Sequence, residues 1–380
     1  MRILMFCNPM PGHLLPMLPL ARALRQQGHV VAFVTSAHMA GSVEPDGFRL
    51  IAAGPTTEAV VAEVARRSGS DILAGQSPEL VGQFFAGARV DLSVDEALAV
   101  AREWEPGMIV SEHCDYVGPL VAATLKVPSV VMAIDPTLEP DVLDALAETA
   151  RPRYLERGLE APAHAPFGSL LLDLCPPSLQ RDGVLPPLDR MALRPEPHAA
   201  PGGTPRAPRA AETGRPRVLV GFSTVPGAGP RLGPVLQSLS ALDIDLVATS
   251  GGAPVDTLGL DRERVELFTF LPAAELLDNV SVVVHHGGSG TTFGTAARGV
   301  PAVVVPGMPG QLRQAGRLQA AGAGLALPAG EQGPEAVTSA VRRLLAEPAF
   351  TTAAHLLRDE IAAMPSASEV AARLVASAGA

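Results

Sequence analysis

Short apolar runs and amphipathic stretches alternate along the first half of the chain. Arg2-Ile3-Leu4-Met5-Phe6-Cys7 and Val30-Val31-Ala32-Phe33-Val34-Thr35 are continuous apolar runs of strand length. Between them, Met17 to Arg25 has the apolar spacing of a helix and stops at Gly28-His29. Further on, Met108–Ser111 and Ser129–Met132 read as strands flanking a helix from Gly118 to Lys126. The alternation restarts at Arg217–Gly221 and continues through Ile244–Thr249, Val265–Phe268, Asn279–Val284 and Pro301–Val305. Helices fill the gaps, among them Val337–Ala346, and Thr351 to Ala380 is helical by composition. Runs that are apolar throughout belong to strands covered on both faces, and strand–helix–strand repetition implies a parallel sheet. The expected fold class is α/β, with two Rossmann-like doubly wound parallel-sheet domains facing a cleft.

Residues from about Pro176 to Pro216 break this pattern, being rich in Pro, Ala, Gly and Arg without apolar periodicity. They read as loop and interdomain linker. The expected division is a first domain over 1–198, a linker over 199–216 and a second domain over 217–355. A C-terminal helix over 356–380 is expected to pack back on the first domain.

Composition narrows the class. At 380 residues the chain is long enough for two domains with separate cores. Apolar residues at 47% and charged residues at 18% mark a globular protein. A net charge of −10, with no basic stripe, argues against a nucleic-acid partner. Lys126 is the only lysine, the mark of a GC-rich coding sequence. The mean hydropathy is +0.24, yet no apolar run approaches the roughly 20 residues of a membrane span. Ile3–Cys7 is too short for a signal-peptide core and is followed by Pro9, Pro11 and Gly12. Cys7, Cys114 and Cys175 are odd in number and widely spaced, so a reduced, cytoplasmic setting is expected, without a disulfide framework or zinc site. No metal is expected. His29, His38, His164, His198 and His355 have no companions at ligand spacing, and Asp243-Ile244-Asp245 sits where a turn enters a strand.

The densest chemistry lies in His285-His286-Gly287-Gly288-Ser289-Gly290-Thr291-Thr292. It joins the apolar run ending at Val284 to a helix over Thr291–Arg298 that Gly299-Val300-Pro301 stops. Small residues on such a turn let backbone N–H groups close around an anion, which the helix dipole favours by roughly 0.3–1 kcal/mol per charge. Thr291 adds a hydroxyl and His286 a side-chain donor that can be cationic, whereas His285 reads as structural.

Two motifs extend this reading. Near the N-terminus stands Asn8-Pro9-Met10-Pro11-Gly12-His13-Leu14-Leu15-Pro16-Met17-Leu18-Pro19-Leu20-Ala21, followed by Gly28-His29. The second runs from Phe270-Leu271-Pro272 through the His-His-Gly-Gly turn to Gln311. In this order they resemble the GT-B glycosyltransferases, in particular the bacterial enzymes that attach sugars to polyketide antibiotics. The resemblance implies an inverting, metal-independent transfer of a deoxysugar from a dTDP-sugar to an aromatic polyketide-type acceptor, through oxygen or carbon. The dTDP-sugar is a co-substrate and no resident cofactor is implied. His286, Gly290 and Thr291, with Gly288 and Ser289 of the same turn, match the diphosphate contacts, and Ser223 another phosphate donor. Phe270 matches an aromatic that stacks on the base, the Leu271 backbone pairing with it, and Gln311 a sugar contact. The family often has Asp before that Gln; here Gly310 stands instead, and Gln314 replaces a frequent Asn, which fits a deoxysugar better than glucose.

His13 matches the base that deprotonates the acceptor, and a histidine near pKa 6.5 suits that task. Glu112 falls where the family places its orienting carboxylate, Asp115 reads instead as the cap of the helix that follows, and Asp135 is a second candidate base. Phe84, Phe85 and Met10 read either as acceptor lining or as core. The expected partners are a small-molecule acceptor and a nucleotide sugar, with no nucleic acid and no membrane span; a homodimer is allowed for. The rival functions are a non-catalytic nucleotide-sugar-binding partner protein and a UDP-hexose-dependent transferase. A nicotinamide dehydrogenase is disfavoured because Pro11-Gly12-His13 replaces Gly-x-Gly-x-x-Gly and strand two ends in Thr35-Ser36 without the ribose-binding acid.

Overall fold

In the computed structural model every strand pairs in parallel, in two separate sheets. It describes residues 1–72, 75–180, 188–199, 208, 214–222, 232–252, 254–255 and 259–378. The first sheet contains β1 (Arg2–Phe6), β2 (Val30–Thr35), β3 (Arg49–Ala52), β4 (Met108–Glu112), β5 (Ser129–Ala133), β6 (Leu170–Asp173) and β7 (Asp189–Ala192), in the order β3-β2-β1-β4-β5-β6-β7. The second contains β8 (Arg217–Gly221), β9 (Asp245–Thr249), β10 (Val265–Phe268), β11 (Val282–His285), β12 (Ala302–Val304) and β13 (Gly324–Ala326), in the order β10-β9-β8-β11-β12-β13.

Both orders reverse direction once, between β1 and β4 and between β8 and β11. At such a reversal the turns leaving the two central strands diverge to opposite faces, and the crevice they leave is where open α/β sheets hold ligands. Register makes the neighbouring turns level. Phe6 pairs with Ser111, so the turns after β1 and β4 begin side by side. His285 pairs with Gly221, so the turn after β11 begins at the end of β8.

The chain divides into two compact units, each with its own core. One comprises Met1–Cys175, Asp182–Arg194 and Pro365–Ala380; the other comprises Pro176–Arg181 and Pro195–Met364. Leu4, Phe6, Ile109, Leu120 and Phe167 belong to the first core, and Val220, Leu236, Val284 and Val341 to the second. The terminal segment is two helices, Pro348–Ala363 in the second unit and Ala367–Ala378 in the first. The latter packs on helix Leu18–Gln26, burying Val370, Ala371 and Leu374 completely, and Gln27 Nε2 donates to the Ser368 carbonyl at 2.8 Å.

Three departures from the sequence reading matter. Asp189–Ala192 lies within the stretch read as linker but is an edge strand on β6, polar and half-exposed, so no apolar run betrays it. β3, β6 and β13 also fall outside the runs read as strands. Glu112 is not beyond its strand; it is the last residue of β4, paired with Met132.

Candidate active site

Phe84 is core, whereas Met10 and His13, in the turn after β1, are only partly buried. Met10, with extended backbone, precedes a helical turn Pro11–Leu14, and the amides of His13 and Leu14 both donate to the Met10 carbonyl. This turn, with proline pre-set at its first position, presents His13 at the crevice end of the sheet. Its ring is 17% exposed, and Nδ1 lies 2.9 Å from Oε1 of Glu112, which is wholly buried. The same oxygen accepts the Asn8 backbone amide at 3.3 Å and the Asn8 side-chain amide, while Oε2 accepts the Cys114 amide at 2.8 Å. Four donors thus meet one buried carboxylate. With Nδ1–H directed at Glu112, the His13 lone pair resides on Nε2.

Electrostatics follow from this arrangement. Burial alone would raise the Glu112 pKa, but the charge and hydrogen bond of His13, the charge of His113 and the Cys114 amide bring it down to about 2. Burial alone would lower His13, and is outweighed by the charge and hydrogen bond of Glu112 and by the charges of Asp135 and Asp115, so its pKa is raised. Asp115 caps helix Val117–Leu125 through the Val117 and Gly118 amides, both at 3.2 Å. Burial lifts its carboxyl to about 6.

Asp135 follows β5, is 38% exposed, and has Oδ2 3.9 Å from Nε2 of buried His113. His113 Nδ1 accepts the Ile134 amide at 3.4 Å. The sequence reading singled out neither His113 nor the double contact of Asn8. Their one sequence signal is position, at the ends of β4 and β1. Glu112, His113 and Cys114 bring a carboxylate, an imidazole and a thiol within 4.8 Å of one another. Of these three, Glu112 Oε2 accepts the Cys114 amide and His113 Nδ1 accepts the Ile134 amide.

In the second unit, β11 passes through Gly287 and Gly288 into helix Ser289–Ala297. Gly287 has φ +91°, and an added Cβ would stand 2.9 Å from Val304 Cγ1 and 3.0 Å from the Gln311 carbonyl. A Cβ on Gly288 would reach His286 Nε2 at 2.6 Å. No side chain caps the helix at Gly288, so the amides of Ser289, Gly290 and Thr291 lack intrahelical partners, and the space at Gly290 is open. His285 is structural as expected, its Nδ1 accepting the Gly287 amide at 3.0 Å.

Burial drives the His286 pKa down to about 4, opposed only in part by a hydrogen bond to the Gly221 backbone. Phe270 is 58% exposed just beyond β10, and Leu271 beside it is buried. Gln311 Oε1 accepts the Gly307 and Met308 amides at 2.8 and 3.1 Å, at the start of helix Pro309–Ala320. Gln314 is buried and donates to Ser289 Oγ. Ser223 lies outside the described residues.

Comparison with known proteins matches both halves of this picture. The N-terminal and C-terminal domain models of the erythromycin biosynthesis protein CIII-like family match residues 22–190 and 234–377. The elloramycin glycosyltransferase of Streptomyces olivaceus is 31% identical, over 98% of this chain and 97% of its own. The chain is a glycosyltransferase of this family. The L-demethylnoviosyl transferase of Streptomyces niveus is 30% identical to it, over 99% of this chain and 98% of its own. The glycosyltransferase SsfS6 of Streptomyces sp. SF2575, complexed with thymidine diphosphate, matches it with a TM-score of 0.83 at 28% identity, over 99% of each chain. The enzyme has the two parallel α/β domains of the GT-B class. Among its described residues no helix is long and apolar enough to cross a membrane.

Proposed function

We propose that this glycosyltransferase moves a deoxysugar from a dTDP-sugar to an aromatic polyketide-type acceptor, inverting the anomeric centre in one displacement without a metal. The observation that carries the reading is the His13–Glu112 pair, a partly exposed imidazole held through Nδ1 by a buried, charged carboxylate. His13 Nε2 removes the acceptor proton as oxygen, or an ortho carbon of a phenolate, attacks the anomeric carbon. Glu112 fixes the tautomer and stabilises the imidazolium that forms. The leaving diphosphate gains charge, and the uncapped amides at Ser289, Gly290 and Thr291, with the Thr291 hydroxyl and the His286 side chain, are the groups suited to it.

A thymine base fits the exposed ring of Phe270, and the thymidine diphosphate bound by the relative SsfS6 supports that choice of nucleotide. Gly310 supplies no carboxylate for sugar hydroxyls, which supports a deoxysugar over glucose. Asp135 is the second candidate base, since it is exposed at the end of β5 and its charge reaches His13.

The test is turnover. The purified enzyme is given matched dTDP-2,6-dideoxysugar and UDP-glucose donors with a hydroxyanthraquinone acceptor, with and without EDTA. Mass spectrometry and NMR then define product, linkage and anomeric configuration. Transfer from the dTDP donor, unaffected by EDTA, is expected. A preference for UDP-glucose, or a retained anomeric configuration, refutes the reading.

A further inference from the structure

We propose that Phe85 is the platform on which a flat aromatic acceptor stacks beside His13, and that a π-helical turn puts it there. The inference rests on the aromatic-acceptor reading above. Residues Gln83–Ala88 wind as a π-helix between helix Pro78–Gly82 and the helical turn Arg89–Asp91. Its i→i+5 bonding fits more residues into each turn, so successive side chains rotate less about the axis than in an α-helix. Neighbouring Phe84 and Phe85 therefore lean towards one side. Phe84 fills an apolar cluster with Val60, Val64 and Ile72 and is 6% exposed. Phe85 meets it edge-on, with centroids 4.8 Å apart at 84°, and its ring lies 5.8 Å from the His13 imidazole, tilted by 38°.

A ring that only filled the core would be buried like Phe84. Phe85 instead stays partly exposed next to the imidazole, and Met10, from the turn that carries His13, packs on the same cluster. The π-turn is also braced from behind. At Gly82 an added Cβ would stand 2.8 Å from Thr149 Oγ1 and 2.9 Å from the Ala145 carbonyl of helix Pro140–Leu155. π-turns are rare and occur often at functional sites. A fused-ring phenol laid on Phe85 would keep its hydroxyl-bearing edge within reach of the imidazole, and offset stacking would select planar acceptors over saturated ones.

The experiment titrates the full-length enzyme with 1,2-dihydroxyanthraquinone, with a saturated macrolactone, and separately with thymidine diphosphate. Phe85→Leu should weaken anthraquinone binding about 5- to 10-fold, the size of one aromatic contact, and leave thymidine diphosphate binding unchanged. Phe85→Trp should bind the anthraquinone as well as the wild type or better. Anthraquinone affinity within twofold of wild type in a folded Phe85→Leu overturns the proposal. If Phe85→Leu does not fold, Phe85→Trp decides, and loss of anthraquinone binding in that variant is the overturning result. A wild type that binds the macrolactone but not the anthraquinone sinks the aromatic-acceptor reading itself, and this inference with it.

Discussion

Glu112 is wholly out of water and still keeps its charge, because His13, Asn8 and the Cys114 amide all donate to it. Its folded pKa of about 2 lies below the ordinary 4.5, so its contribution to stability is present above pH 4.5 and is lost as pH falls towards 2. His13 is raised above 6.5, so its share is present below pH 6.5 and is lost as pH rises through the folded value. The Tm difference between wild type and Glu112→Gln should therefore be largest between pH 4.5 and 6.5 and shrink on both sides. A difference that is flat from pH 3 to 9 contradicts this. As a base, His13 must be neutral, so the acid limb of kcat/KM should lie above pH 6.5, and Glu112→Gln should move it to lower pH. His13→Ala should cut kcat by about 10²–10⁴-fold with thymidine diphosphate affinity unchanged, and Asp135→Asn should do less. Single-turnover rates decide; full activity in His13→Ala leaves Asp135 as the base. His13 was legible in the sequence because its Pro-Gly-His turn is local. Asn8 and His113 were not, because their contacts depend on the register of β1 with β4 and of β4 with β5, which the local sequence does not show.

The glycine turn shows the same division among elements. Its place between β11 and a helix is readable from apolar runs and helix stops, whereas the helix start at Ser289 and the lowered pKa of His286 come from packing. Thr291→Ala should weaken thymidine diphosphate binding by about 1.5–3 kcal/mol, the range for hydrogen bonds to charged groups, measured calorimetrically. Unchanged affinity removes Thr291 from the phosphate site. Gly287→Ala should lower stability in urea by at least about 1–2 kcal/mol, since left-handed backbone and a 2.9 Å approach to Val304 coincide there. A neutral result would mean the turn relaxes. Strands were legible where an uninterrupted apolar run marks them, as Ile3–Phe6 in β1 and Val282–Val284 in β11 do. The polar edge strand β7 was hidden because its identity comes from pairing with β6, not from its own residues.

At the scale of the whole molecule, the chain leaves the first unit and returns to it at Pro365. Helix Leu18–Gln26 buries Leu18, Leu20, Ala21, Ala23 and Leu24, which cover more than one face, and helix Ala367–Ala378 packs against it. Ending the chain at Met364 removes the buried Val370 and Leu374, each worth about 1.5–3 kcal/mol, from a total of about 5–15 for a typical domain. Hydrogen exchange should then show the first unit loosened, while the second still binds thymidine diphosphate normally. Unaltered protection in residues 2–35 contradicts the prediction. The return of the chain also bears on how the protein is made. Synthesis runs from the N-terminus, so the unit that emerges first from the ribosome is the last to be completed. Until residues beyond 365 are translated, helix Leu18–Gln26 waits without its cover, and a nascent chain stalled earlier offers that apolar face to chaperones.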